Sequence, residues 1–233
     1  HTYTTMSKYL NEFIEDAIPG GVDCVVGFCH MAEYIARAAA LRPDLVRSVV
    51  LASTAIQATS FEERWAMHAK FEGLHQMWQQ ADPPINAFQF FSNMIRSLMQ
   101  EGSVAHGCFG VSKAFLENTA AVDRAVDEHS LICDEFVKTT TTNGLHISNF
   151  VQHIRDSKLW SHWDSVSVPV LCIAGADDPA CLDGIEWAAS MMPRSELKRI
   201  HGVVHVPQIE SPEVFRDAVI AFVRKHTTAG GAE

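Results

Sequence analysis

The stretch that decides the fold is Val22-Asp23-Cys24-Val25-Val26-Gly27-Phe28-Cys29-His30-Met31-Ala32. Residues 22–28 form a short, mostly β-branched run, which predicts a buried β-strand. Residues 30–41 carry apolar side chains at helical spacing and end just before Pro43, which predicts a helix. Cys29 is therefore expected at a sharp turn between a strand and a helix.

This turn position suits a nucleophilic thiol. Its side chain points outward, and the first N–H groups of the helix lie just beyond it. Those N–H groups and the helix dipole lower the pKa of a thiol and can hold a developing oxyanion. Taken alone, the pattern leaves a buried, inert Cys29 as an equal alternative, because free cysteine is among the most buried residue types.

Composition limits the classes of protein to consider. With 233 residues and 47% apolar side chains, the chain can form one large globular domain or a domain with an insertion. The net charge is −10, and the basic residues are scattered. We therefore expect no nucleic-acid partner and no anionic membrane surface. No apolar run approaches the roughly 18 residues of a membrane span.

The cysteines and histidines lack the spacing of a metal or disulfide framework. Neither a His-Glu-x-x-His nor a Cys-x-x-Cys pair occurs among the twelve histidines and six cysteines, so we expect no metal and no cofactor. Dispersed cysteines favour reduced thiols and hence a cytoplasmic location. The cysteines are at positions 24, 29, 108, 133, 172 and 181.

The remaining chain alternates between strand and helix patterns at both ends. An amphipathic helix over 4–18 precedes the strand and helix around Cys29, and a second apolar strand follows, which predicts a doubly wound parallel sheet. The middle shows helical periodicity and almost no strand pattern. We therefore predict an α/β core over 1–55, an all-helical insertion over 56–164 and a return to the core over 165–233.

Two further polar residues follow predicted strands in the last part. Residues 169–175 read as a buried strand followed by Asp177 and Asp178, and His205 follows a last strand ending near residue 201. Side chains that meet a ligand in an open parallel sheet lie at the carboxyl ends of the strands. Cys29 also follows a strand, so these residues are predicted to converge.

Three segments together resemble the α/β-hydrolase superfamily. Gly27-Phe28-Cys29-His30-Met31 resembles the Gly-x-Ser-x-Gly nucleophile elbow, with Cys in place of Ser as in dienelactone hydrolases and polyhydroxyalkanoate synthases. Residues 169–179 resemble the acid strand of that superfamily, and residues 202–213 resemble its His loop and closing helix. Met31 replaces the second Gly, which predicts either a splayed elbow or a neighbour reduced in size to fit Met31.

The resemblance implies a catalytic triad of Cys29, Asp178 and His205. His205 would take the proton from Cys29, and Asp178 would orient the imidazole. Asp177 is the less favoured acid, because the family places the acid three residues after the Gly. The backbone N–H of His30 would supply half of an oxyanion hole. We assign no task to His201, Asp183 and Glu210, and expect them to be structural or exposed.

The resemblance also implies an activity. The helical insertion corresponds to the cap that roofs the active site, and substrate contacts are expected from Phe28, Trp65, Trp78 and Phe91. The nearest likeness is to enol-lactonases and small-molecule esterases, so we expect hydrolysis of an ester, lactone or thioester of a small, fairly apolar molecule. An acyltransferase that uses the same Cys, and a hydrolase-like binding protein without turnover, remain open alternatives.

One part of the superfamily's sheet is absent from the sequence. Its members usually carry four strands before the elbow strand, and the second oxyanion donor comes from that region. An unpaired strand edge is an aggregation hazard. We therefore expect a partner along residues 4–18 and 22–28, either a second polypeptide that supplies the missing N-terminal portion or a second copy in a homodimer. A third open alternative is that the sequence is a fragment of a longer chain.

Overall fold

The computed structural model describes residues 3–29, 31–54, 162–178 and 181–227, and a few isolated residues between 80 and 120. The chain divides into two compact units, residues 1–58 with 158–233, and residues 59–157. The elements below all belong to the first unit. Nearly all of the predicted cap, residues 56–164, lies outside the described residues, so its boundaries and its helices stay predictions.

The core is a parallel sheet of four strands, as the sequence predicts, and the strands lie in the order β1-β2-β3-β4. In register, Phe28 lies beside Ala52, Ala52 beside Ile173, and Gly175 beside Ile200. Because all four strands run in the same direction, their carboxyl ends meet at one edge. The strands are β1 (Val25–Phe28), β2 (Val49–Ala52), β3 (Val170–Gly175) and β4 (Ser195–Ile200).

Five α-helices surround this sheet in the described part of the chain. They are α1 (Tyr3–Ala17), α2 (Met31–Leu41), α3 (Leu182–Met191), α4 (Pro207–Glu210) and α5 (Pro212–Thr227), and a 3₁₀ turn spans Trp163–Ser165. Helix α5 begins at Pro212, where proline at the first helical position predicts a start. Helix α4 is an addition, because the sequence predicts a loop there.

Both faces of the central strands are buried. Val49 and Leu51 belong to an apolar cluster that includes residues of α1, α2 and α3, whereas Val50 belongs to a cluster on the side of α5. Strands β2 and β3 are buried at every position. This two-sided burial explains why their sequences are continuous apolar runs rather than alternating ones.

The elbow strand is shorter than its apolar run predicts. Val22 forms an isolated parallel bridge with Val46, and regular pairing begins at Val25. Between them, Asp23 faces solvent and accepts a hydrogen bond of 2.7 Å from Arg47 through its carboxylate. Its backbone carbonyl accepts a second bond, of 2.6 Å, from the Ser48 hydroxyl. These side-chain bonds replace ladder pairing over residues 23 and 24.

Candidate active site

Cys29 lies on a strained turn directly after β1. Its backbone N–H donates to the Ala52 carbonyl at 2.9 Å, and its own carbonyl accepts the N–H of Ala32 at 3.2 Å, which starts α2. The φ angle of Cys29 is +54°, in the left-handed region that residues other than glycine rarely adopt. Such a conformation costs on the order of 1–2 kcal/mol and is typical of active-site turns. The predicted strand-turn-helix is present.

Gly27 lets α2 pack closely on β1. A Cβ atom at Gly27 would lie 2.5 Å from Cδ1 of Ile35 and 2.8 Å from Cα of Ala32, closer than ordinary contacts. Met31 does not take part in this approach, because its side chain is 43% exposed. The expectation of an elbow splayed by Met31, or of a neighbour reduced to fit it, is therefore wrong.

Asp178 and His205 form a buried pair at the same edge of the sheet. Nδ1 of His205 lies 2.9 Å from Oδ2 of Asp178, and both side chains are almost completely buried. Oδ1 of Asp178 accepts the backbone N–H of Cys181 at 3.2 Å, which holds the carboxylate in place. A carboxylate at Nδ1 favours the tautomer with its proton there and leaves Nε2 as the basic atom. Asp177, the alternative acid, is exposed.

The loop that carries His205 folds back across the end of β3. This return is needed because β4 is separated from β1 by two strands, so the two lie about 14 Å apart. Gly175 makes the crossing possible, since a Cβ there would overlap the carbonyl oxygens of Val203 and Val204. The backbone N–H of Asp177 donates to the Val203 carbonyl at 3.1 Å and fastens the loop to the strand end.

Glu210 holds the same loop from its other side. Its Oε1 accepts the backbone N–H of Val204 at 3.1 Å and that of Val206 at 3.2 Å. These are the two residues on either side of His205. Sequence reasoning gave Glu210 no specific task, because a carboxylate after a loop carries no local signal that its acceptors are backbone groups. Glu210 is a positioning residue for the His loop.

The His205 ring also reaches the elbow. Its centroid lies 5.3 Å from that of Phe28, with the two ring planes inclined by 55°. Phe28 directly precedes Cys29 in the chain. Nε2 of His205 is buried and has no hydrogen-bond partner in the described part of the chain. The bond between Cys29 and Nε2 is thus not formed in this structure, and the nucleophilic role of Cys29 stays a prediction.

A second cysteine contacts the imidazole. Sγ of Cys181 is 3.6 Å from Nδ1 of His205, and Cys181 is completely buried. One ligand atom each from Asp178, Cys181 and His205 falls within 4.8 Å of the others. Motif spacing could not show this cluster, because His205 joins it from 24 residues away along the chain. Asp178 and Cys181 are three residues apart, which was the one local signal.

The other described thiols lie in environments that suppress reactivity. Burial raises the pKa of Cys172, within β3, to about 12. Burial is also the main cause of the raised pKa of Cys24, which precedes β1 at the amino edge of the sheet. A raised pKa reduces the thiolate fraction near neutral pH, and the thiolate is the nucleophile. None of the four described cysteines forms a disulfide within the described part of the chain.

Several predicted site residues lie outside the described residues. They are His30, with the proposed oxyanion N–H, and the predicted substrate contacts Trp65, Trp78 and Phe91. Phe28 is described and half-buried. Among the described residues, no helix has the length and apolar character needed to cross a membrane.

The parallel sheet, the strained elbow at Cys29 and the returning His loop define the α/β-hydrolase fold, and searches of solved structures agree. BpoC from Mycobacterium tuberculosis H37Rv matches with a TM-score of 0.71 and 19% identity, over 97% of this chain and 75% of its own. The α/β hydrolase MGS-M2 from a Medee basin deep-sea metagenome library matches with a TM-score of 0.65 and 15% identity, over 95% of this chain and 72% of its own.

The esterase EaEST from Exiguobacterium antarcticum is a third similar structure, with a TM-score of 0.64 and 15% identity over 96% of this chain and 74% of its own. No family model matches the sequence, and no curated protein matches it. At these identities the likeness shows the fold. The reaction has to be inferred from the site itself.

Proposed function

We propose that this chain is a hydrolase that cleaves an ester, lactone or thioester of a small, fairly apolar molecule through Cys29, His205 and Asp178. The observation that carries the proposal is the His205 ring. Its Nδ1 is engaged by the Asp178 carboxylate at 2.9 Å, and its centroid lies 5.3 Å from that of Phe28, the neighbour of Cys29. A base oriented by a carboxylate beside an elbow residue is the arrangement that activates a nucleophile.

In the first half of the proposed cycle, Nε2 of His205 takes the thiol proton of Cys29. The thiolate attacks the acyl carbonyl carbon, and the carbonyl electron pair moves to oxygen. When the tetrahedral intermediate collapses, the imidazolium gives its proton to the leaving alcohol or thiol. The acyl group remains on Sγ as a thioester. Asp178 stabilises the imidazolium while it exists.

In the second half, His205 acts on water. Nε2 takes one proton from a water molecule as its oxygen attacks the acyl-thioester carbon. Collapse of this second intermediate expels the Cys29 sulfur, which recovers its proton from the imidazolium. One water is consumed, and one acid is released. The backbone N–H of His30 is proposed to hold the oxyanion in both halves.

Cys29 suits the nucleophilic role better than Cys181, although Cys181 contacts the imidazole. Cys181 contacts Nδ1, the nitrogen that already faces Asp178, and its thiol is completely buried. Cys29 follows Phe28 at the elbow, where the chain turns into α2 and helical N–H groups are available for an oxyanion. Proton transfer through Nε2 therefore favours Cys29.

The substrate is proposed to be compact and largely apolar. Phe28 offers an apolar face beside His205, and Trp65, Trp78 and Phe91 are further proposed contacts from the sequence. A Cys nucleophile suits activated acyl groups such as lactones and thioesters. If an alcohol or amine replaces water in the second half, the same site becomes an acyltransferase.

The experiment that tests this function is a burst assay with a chromogenic ester. We expect a stoichiometric burst from the wild type, and a peptide map that places the acyl group on Cys29. Cys29→Ala and His205→Ala should abolish the burst, whereas Cys24→Ser should retain it. Turnover that rises with added alcohol would favour transfer. Absence of a burst and of turnover with esters, lactones and thioesters would favour a binding protein and contradict the proposal.

We further propose that a second polypeptide pairs with the outer edge of β1. In the described part of the chain β1 pairs with β2 alone, and Val26 in β1 is 48% exposed. The neighbouring α1 exposes Phe13 (63%) and Tyr9 (48%). An open strand edge offers unpaired N–H and C=O groups to another strand. Intact-mass analysis of the native protein should find a second polypeptide; a lone monomer or a homodimer would contradict this.

A further inference from the structure

We propose that Asp178, Cys181 and His205 also form a binding site for a thiophilic divalent cation of the zinc class, and that the bound cation blocks the base function of His205. All three side chains are buried, with exposures of 2%, 0% and 1%. Their ligand atoms lie within 4.8 Å of one another. The cation would therefore meet a carboxylate oxygen, a sulfur and an imidazole nitrogen at one point.

The sulfur-to-nitrogen distance agrees with tetrahedral coordination, and the carboxylate has to adjust. Zinc bonds of 2.3 Å to sulfur and about 2.05 Å to nitrogen place these two atoms about 3.6 Å apart. Sγ of Cys181 and Nδ1 of His205 are 3.6 Å apart. A zinc-bound carboxylate oxygen would lie about 3.4 Å from the nitrogen. Oδ2 of Asp178 is 2.9 Å from Nδ1, so the carboxylate must retreat by about 0.5 Å.

The donor set also predicts which cations bind. A thiolate and an imidazole favour Zn²⁺ and Co²⁺, whereas Mg²⁺ and Ca²⁺ prefer oxygen ligands. The site offers three protein ligands, which leaves a fourth position for water or a small anion. We therefore expect selective binding of borderline and soft cations over Mg²⁺.

Binding would change the protonation of the site. Cys181 loses its thiol proton when it becomes a ligand, and Nδ1 loses its proton to the metal bond. The imidazole stays neutral by taking one proton at Nε2, so one proton is released to solvent for each cation bound. With Nε2 protonated, His205 cannot accept a proton from Cys29. The cation would thus convert the base into its inactive tautomer.

Direct binding can be measured without any assay of activity. Co²⁺ should bind with one equivalent per chain and give a thiolate-to-cobalt charge-transfer band, and Zn²⁺ should displace it. Cys181→Ser should lose the band and bind about 10-fold or more weakly. Cys24→Ser and Cys29→Ser should keep the band, because neither thiol belongs to the cluster. If Cys181→Ser fails to fold, Cys181→Ala replaces it.

The outcomes separate this site from a metal bound at Cys29. A band that survives in Cys181→Ser and disappears in Cys29→Ser would overturn the proposal, as would a wild type that binds no Co²⁺. Release of one proton per Zn²⁺ in an unbuffered titration is a further expected result. Release of none would contradict the ligand roles of Cys181 and Nδ1.

The blocking effect is tested by turnover and rests on the proposed function. Zn²⁺ should inhibit ester cleavage reversibly, and a chelator should restore it, with each protein compared with its own metal-free rate. Cys24→Ser should be as sensitive as the wild type, and Cys181→Ser should resist. Binding without inhibition would overturn the blocking role. A wild type without ester turnover would instead contradict the proposed function, while the cobalt measurements would still decide the site.

Discussion

Replacement of Gly175 by alanine tests how the His loop is placed. An added Cβ would overlap the carbonyl oxygens of Val203 and Val204 and would lie 2.7 Å from the carbonyl carbon of Val203. Ordinary carbon contacts begin at about 3.5 Å, so the loop must retreat by at least about 0.8 Å, and further to clear the two oxygens. The movement falls on the segment that presents His205 to Asp178.

The expected magnitude follows from that displacement. Misplacement of a reacting group by about 1 Å can cost about 100-fold in rate, so kcat/KM for the chromogenic ester should fall about 100-fold in Gly175→Ala. Overpacking of a tight contact should also lower the free energy of unfolding by about 1–3 kcal/mol. The assays are initial-rate kinetics and urea unfolding. NMR of the Nδ1 proton of His205 reports the bond to Asp178 independently of turnover.

Gly202→Ala is the matched control. Gly202 lies in the same loop with φ of +74°, and an added Cβ would meet no heavy atom within 4 Å. Gly202→Ala should therefore lower the free energy of unfolding by about 1 kcal/mol through backbone strain and leave kcat/KM nearly unchanged. Wild-type kinetics and an unchanged Nδ1 proton signal in Gly175→Ala would refute the reasoning. Equal losses of activity in both variants would refute it as well.

Three further results are expected. Glu210→Ala should lower kcat about 10-fold because the N–H groups beside His205 lose their acceptor. Glu210→Gln keeps an acceptor oxygen and should restore most of the rate. Equal rates in the wild type and both variants would contradict this role. Asp178→Asn should lower kcat about 10⁴-fold by favouring the wrong imidazole tautomer, and a loss below tenfold in a folded variant would contradict the pairing. Lys225 is the main cause of the lowered pKa of Glu196. Because this pKa is lower in the folded than in the unfolded protein, the ionised carboxylate stabilises the fold at pH values above the unfolded-state pKa of about 4.3. This contribution is lost as the pH falls through the folded-state pKa. The pair is exposed, so Glu196→Gln should cost at most about 0.5 kcal/mol near neutral pH by urea unfolding, with no difference from wild type at acidic pH.

The strands could be predicted because their signals are local. Continuous apolar runs before Cys29 and before Asp178 indicate buried parallel strands, and Pro212 marks the start of α5. The ends of the strands could be predicted less closely. Strand β1 starts at Val25 rather than at residue 22, because Asp23 bonds to Arg47 and Ser48, and the apolar pattern does not show such bonds.

The site was predictable where it depends on strand ends and not where it depends on the path of a loop. The pairing of Asp178 with His205 follows from their positions after two strands of a parallel sheet. The contacts of Cys181 with the imidazole, and of Glu210 with the loop backbone, arise only because the loop returns over Gly175. That return is a tertiary event, set by the absence of a Cβ at one position. No spacing rule encodes it.

The central claim is that Cys29 is a thiol activated by His205 and Asp178. The most direct measurement is the rate of iodoacetamide alkylation of each cysteine against pH, with sites located by peptide mapping, in the wild type and in His205→Ala. We expect Cys29 of the wild type to react fastest at about pH 6, where an ordinary thiol of pKa about 8.5 is protonated, and His205→Ala to remove this advantage. Equal labelling of all the cysteines, or a Cys29 profile unaffected by His205→Ala, would contradict it.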